Sequence, residues 1–179
     1  MFNKSDEIID RLELLDILCM EDNVEAELVV LGAAGILLCM ELVNRTFRPT
    51  RDIDVNLLSS SNKDRIHQLL REVEVDTVGG VMELPPMEDF EGDNLFKISG
   101  IDFEAINVFV PSIEMLACSK IFSTRQKDLQ DLQKTDILLA CNKDKLLSLV
   151  EEYTPHMLNP NNPDSNIHSL ENILLEKGI

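Results

Sequence analysis

Tryptophan is absent from this 179-residue chain, tyrosine occurs once, and aromatic residues make up only 4% of it. The core must therefore pack on aliphatic side chains, and the stacked aromatic platforms that hold single-stranded nucleic acid are not expected. Cations are scarce as well, with 16 Lys+Arg against 33 Asp+Glu and a net charge of −17. Such a field repels a phosphate backbone and removes the counterion-release term that drives non-specific binding, so bare DNA or RNA is a poor partner. A basic protein, a cationic small molecule or a divalent metal suits it better, although a local basic pocket can still hold one triphosphate.

Charges interrupt every apolar run, so no stretch reaches the length of a membrane span. The first ten residues, MFNKSDEIID, carry no apolar core of an export signal, which predicts a cytoplasmic location. Cys19, Cys39, Cys118 and Cys141 form no C-x-x-C pair, lie in apolar helical stretches and read as buried free thiols. His67, His156 and His168 lack zinc-ligand spacing. Ser59 to Ser61 have no Gly-x-Ser-x-Gly context, and no Gly-Lys-Ser/Thr follows the glycine turn at Gly32.

What is present is 44% hydrophobic residues, enough for one compact core with a helical annex. Residues 3–20 repeat apolar side chains near a 3.6-residue period and predict an amphipathic helix. Glu27 to Gly32 read as a short strand ending in glycine, Ala33 to Val43 as a buried helix, and Asp52 to Leu58 as a half-buried strand after a proline-containing loop. Asn62 predicts the cap of a helix reaching Val73, followed by an acidic stretch broken at Gly79-Gly80 and Pro85-Pro86. Leu95 to Ser99 and Ile101 to Val110 predict two strands joined near Gly100. Helices are expected over Ile113–Phe122, Lys127–Ala140 and Lys143–Tyr153, then an Asn/Pro linker and a short last helix.

The order of these parts carries the chemistry. Residues two apart on a strand share a face, so Asp52 and Asp54 are expected to present their carboxylates together, with Ile53 on the other side. A magnesium ion relieves the repulsion of two such carboxylates and keeps coordination sites for phosphate oxygens and water. Upstream, the glycine turn opens a helix whose free N–H groups and dipole favour a phosphate.

The segment LVVLGAAGILLCMELVNRTFRPTRDIDV (Leu28 to Val55) resembles the nucleotidyltransferase superfamily, in particular its AbiEii-like and minimal bacterial members. Those place Gly-Gly or Gly-Ser after a strand, then a helix, then Asp-x-Asp or Asp-x-Glu on the next strand. Ala33 here replaces the second Gly or Ser. VPSIEMLACSKIFSTRQKDLQDLQ (Val110 to Gln133) resembles the superfamily's following helical segment. The resemblance implies an α/β fold, a small mixed sheet covered by helices over residues 1–112, with a helical C-terminal region over 113–179.

It further implies transfer of a nucleoside monophosphate from an NTP to RNA, a protein or a small molecule, with a two-metal Mg²⁺ site. Asp52, Asp54 and Glu104 would be the catalytic and metal-binding carboxylates, with Asp102 or Asn107 as alternatives to Glu104. Gly32, Ala33, Thr50, Lys120, Arg125 and Asp128 would contact the nucleotide, Lys120 and Arg125 by neutralising phosphate charge; Asp128 and Asp131 share a helix face. Three settings fit this reading: a toxin–antitoxin component, an aminoglycoside-type antibiotic-modifying enzyme, and a module that keeps the fold without turnover.

Overall fold

The computed structural model describes residues 1–78, 84–98 and 101–179. Five strands form one mixed sheet: β1 (Ala26–Val30), β2 (Asp54–Ser60), β3 (Asp76–Thr77), β4 (Leu95–Lys97) and β5 (Ile106–Pro111), in the spatial order β3-β2-β1-β5-β4. β1 runs antiparallel to β2 and parallel to β5; β3 is parallel to β2, and β4 antiparallel to β5. The helices are α1 (Ser5–Glu21), α2 (Gly32–Leu42), α3 (Lys63–Glu72), α4 (Ile113–Ile121), α5 (Gln126–Lys134), α6 (Ile137–Ala140), α7 (Lys143–Tyr153) and α8 (Leu170–Lys177).

Alternation along the strands sorts the two faces of the sheet. Leu28, Val30, Val55, Ile106, Val108 and Val110 are buried and join the aliphatic core formed with α1 to α4. Asn56, Asn107 and Phe109, one residue out of phase, stay half-exposed. The wetter face therefore carries the polar side chains of β2, beginning with Asp54.

Most helix limits agree with the periodicity. Asn62 caps α3 by accepting a hydrogen bond from the Arg65 N–H at 3.1 Å, and Ser112 caps α4 through the Met115 N–H. Two expectations are corrected. The single helix expected over Lys127–Ala140 is divided into α5 and α6, because Thr135 takes an extended conformation while its hydroxyl bonds back to the Asp131 carbonyl at 2.6 Å. The strand expected from Ile101 starts only at Ile106, since the buried Asp16 carboxylate of α1 binds the N–H groups of Glu104, Ala105 and Ile106 at 2.8–3.0 Å. Those groups are satisfied by a side chain where a strand would pair them with a neighbour. Gly79-Gly80 and the expected Ser99–Gly100 junction lie outside the described residues.

Cys19 and Cys118 are buried and Cys39 and Cys141 half-buried, all as free thiols. Burial pushes Cys19 up to about 11 and Cys39 and Cys118 up to about 12, so these sulfurs stay protonated and inert at neutral pH. Among the described residues no helix is long and apolar enough to cross a membrane.

Candidate active site

The chain leaves β1 at Val30 and enters α2 through Gly32, whose φ of +57° is a left-handed conformation that side chains disfavour. A second constraint acts there. A Cβ on Gly32 would lie 3.0 Å from Oδ2 of Asp54, so the carboxylate packs directly over the turn. The Leu31 N–H donates to the Asp54 carbonyl at 2.8 Å and fixes the first residue of β2 beside the helix entry. No side chain caps α2, which leaves its leading N–H groups, those of Gly32 and Ala33 among them, without a side-chain partner.

Gly32→Ala is accordingly expected to cost about 1–2 kcal/mol from the left-handed backbone alone, and to displace Asp54 as well. Urea unfolding should show a lower midpoint at an unchanged slope. An unaltered midpoint would mean that the turn relaxes freely.

Ile53 is fully buried between two acids that are not: Asp52 is exposed and Asp54 half-buried. The strand expected from Asp52 begins only at Asp54, and this expectation is corrected: Asp52 precedes the strand in the loop, so the two-residue strand period does not by itself bring the two carboxylates together. Thr50 is 5% exposed, paired through its backbone with Phe2, and its hydroxyl donates to the Asp52 carbonyl at 3.1 Å. It thus shapes the loop that carries Asp52, and its hydroxyl is already engaged.

Burial is the first cause that raises the Asp54 carboxyl above its ordinary range, and the charges of Asp52 and of Asp76, its register partner on β3, raise it further. Arg125 and Lys127 act in the opposite direction. Neither Asp52 nor Asp54 makes an ion pair among the described residues. Two hard oxygen donors that repel each other suit magnesium, which commonly takes one or two carboxylates and fills its shell with phosphate oxygens and water. Among the described residues no group of three His, Cys, Asp or Glu side chains is arranged to hold a metal by itself.

The expected third carboxylate is elsewhere, and Glu104 is corrected on this point. β1 pairs with β2 so that Val30 meets Val55 beside Asp54, whereas Ala26, at the other end of β1, pairs with Ile106. Glu104 and Asp102 precede Ile106, which is itself roughly five residues or 17 Å along the strand from the level of Asp54, so they lie beyond the far end of the sheet. Asn107 pairs with Glu27 at that same end, and its amide oxygen accepts from Lys97 at 2.6 Å. On β5 the half-exposed residue nearest Asp54 by register is Phe109, opposite Val29, which offers no carboxylate.

The helical cations divide. Lys120 is 4% exposed, and its ammonium donates to Asp128 Oδ1 and Asp131 Oδ2, both at 2.7 Å. Asp131 also receives both arms of Arg48, through Nε and, at 2.7 Å, through Nη2. Asp128 also accepts from the Ser123 hydroxyl at 2.8 Å and from Arg125 Nε at 2.7 Å. Burial pushes the Asp128 carboxyl up, yet Lys120, Ser123 and Arg125 outweigh it and hold the group below its ordinary range. Lys120 and Asp128 are therefore committed to an internal ion cluster, which leaves neither free for a nucleotide. Arg125, largely exposed, keeps one side of its guanidinium available and acts on Asp54.

Arg125 and Asn56, the latter two residues beyond Asp54, line a cavity of about 1030 Å³ that also reaches Ser119, Tyr153 and Ser165. Arg48, Asn56 and Ser165 were not singled out in the sequence, where isolated polar residues in loops and on a strand carry no spacing signal.

No curated protein and no solved structure matches the chain. The family described as a nucleotidyltransferase of unknown function (DUF6036) matches over residues 7–173, spanning the glycine turn, both aspartates and the ion cluster, and the chain belongs to that family.

Proposed function

We propose that the chain transfers a nucleoside monophosphate from an NTP to an acceptor at the Asp54 end of the sheet. The observation that carries this reading is the packing of the Asp54 carboxylate over Gly32, which brings a metal-binding acid and an uncapped helix N-terminus to one point. Asp52 and Asp54 would hold magnesium, which when bound neutralises charge on the phosphates and polarises their oxygens. The N–H groups of Gly32 and Ala33 would receive terminal phosphate oxygens, and Arg125 would balance their charge from the helical side. In the transfer an acceptor oxygen bonds to the α-phosphorus, the bond to the β-phosphate breaks, pyrophosphate leaves with the electron pair, and the acceptor proton passes to solvent.

Incubation with each α-labelled NTP and Mg²⁺ in cell extract tests this. Label should appear on one acceptor class, and the Asp52→Asn protein should transfer none. Label on no molecule with any of the four nucleotides would overturn transfer. The net charge of −17 favours a second reading of the setting, in which an AbiEii-like toxin–antitoxin component engages a basic partner. Co-purification of a basic antitoxin encoded beside it would support that setting.

A further inference from the structure

The far end of the sheet, where Asp102 and Glu104 lie, carries a surface that the transfer of phosphate does not use. On α1 the side chains of Ile8, Leu12, Leu15 and Cys19 face the core, yet Leu14, Ile17 and Met20, three residues apart, are exposed by 45%, 51% and 43%. A surface helix ordinarily turns polar side chains outward. Exposed apolar side chains scattered singly mean little, whereas several on one face mark a place of interaction. Asp16, the neighbour of Ile17, accepts from the N–H groups of Glu104, Ala105 and Ile106, so the loop that carries Asp102 and Glu104 is held against this same stretch of helix.

The charges around the apolar stripe have one sign. Asp10, Glu13 and Glu21 of α1 and Asp102 and Glu104 of the loop are exposed, and among the described residues none of the five makes an ion pair. Arg11, the one cation of the helix, reaches instead to the Val73 carbonyl and to Glu74 after α3. The stripe is also remote from the glycine turn, because Asp16 meets the sheet at Ile106, which pairs with Ala26, while Asp54 stands beside the Val30 end of β1.

We infer that this face of α1 docks a basic amphipathic helix of another protein, its apolar side on Leu14, Ile17 and Met20 and its Lys or Arg side chains on the surrounding acids. Apolar side chains spaced three apart form a ridge of the kind a second helix packs across, and the unpaired acids supply the complementary charge. The same acids disfavour other occupants. A second copy would bring its own carboxylates against them, and an anionic lipid surface would be repelled. The surface lies outside the proposed nucleotide site and does not rest on the transfer reading.

The test is calorimetric titration of the full chain with a synthetic peptide of leucine and lysine whose leucines fall on one helical face, and with a scrambled peptide of the same composition. The two carry the same charge and differ in the apolar face. The amphipathic peptide should bind at least about tenfold more tightly than the scrambled one. Leu14→Ser with Ile17→Ser, at exposed positions, should keep the Tm and bring the two peptides within about twofold of each other. Asp102→Asn with Glu104→Gln should weaken the amphipathic peptide about three- to tenfold and flatten its dependence on salt. Equal affinity for the two peptides, an undiminished preference in the Leu14/Ile17 variant, or unchanged affinity and salt dependence in the Asp102/Glu104 variant would overturn the site. Sedimentation of the chain alone and flotation with phosphatidylserine vesicles test the other occupants: a dimer, or vesicle binding, that Leu14→Ser with Ile17→Ser abolishes would overturn the assignment to a basic helix.

Discussion

Replacing Lys120 by methionine is expected to destabilise the fold by about 3–5 kcal/mol, the usual consequence of removing one partner from a buried ion pair. The sequence suggested another outcome, a variant that binds nucleotide poorly on an intact fold. The structure reverses that order of effects. Lys120 is 4% exposed and lies 2.7 Å from two buried carboxylates, which without it would be left with less compensation than their burial requires. Arg48 would still serve Asp131, and Arg125 and Ser123 would still serve Asp128, so the loss should fall within the range for a single broken pair.

The pH dependence carries a distinct sign. The folded carboxyl of Asp128 lies below its unfolded value, so its contribution is present above the ordinary carboxylate range and is lost as pH falls through the folded value. In Lys120→Met that depression is reduced, and protonating Asp128 relieves the variant. The stability gap between wild type and variant should therefore be widest near neutrality and narrow in acid. Urea unfolding at a series of pH values measures it; a pH-independent gap under 1 kcal/mol would return Lys120 to a peripheral role.

The second large effect is expected at the acid pair. Asp52→Asn with Asp54→Asn should abolish magnesium-dependent stabilisation and reduce nucleotidyl transfer by at least about a hundredfold, the scale on which one preorganised electrostatic partner acts. For the wild type, magnesium at ten times its Kd stabilises by about 1.4 kcal/mol, a rise in Tm of roughly 3–6 °C for a chain of this size. The double variant should show no rise.

Without metal the comparison inverts. Asp54 is raised mainly by burial and then by Asp52 and Asp76, so its ionised form at neutral pH opposes folding, and the stability it permits is present in acid and lost as pH rises through its folded value. Removing the charge should therefore leave the metal-free variant at least as stable as wild type. A magnesium-dependent rise that persists in the double variant would move the metal to other ligands.

Short-range patterns were legible in the sequence because neighbouring residues along one element generate them. The period of α1, the Asn62 cap and the Gly32 turn all depend on contacts within a few residues, whereas the strand parity expected to pair Asp52 with Asp54 fails because the strand begins only at Asp54. Parity within the strands was legible for the same reason. It gives the face on which Asp54 or Asn107 stands, but not its height in the sheet. Height comes from the pairing of β1 with β2 and β5, and that register put Glu104 at the end away from the glycine turn.

The ion cluster was hidden for a related reason. On a continuous helix Asp128 would sit about 12 Å along the axis from Lys120, and the two would not meet. The chain reverses between α4 and α5 at Ser123 and Thr124, so residues eight and eleven positions apart close on one ammonium, while Arg48 arrives from a loop far back in the sequence. The sequence by itself determined the mixed α/β class, the aliphatic core and the strongly acidic charge, because composition and local periodicity specify them. Tertiary structure alone decided which charged groups are left facing the cleft and which neutralise one another inside, since burial and ion pairing are settled between elements that the chain order keeps apart.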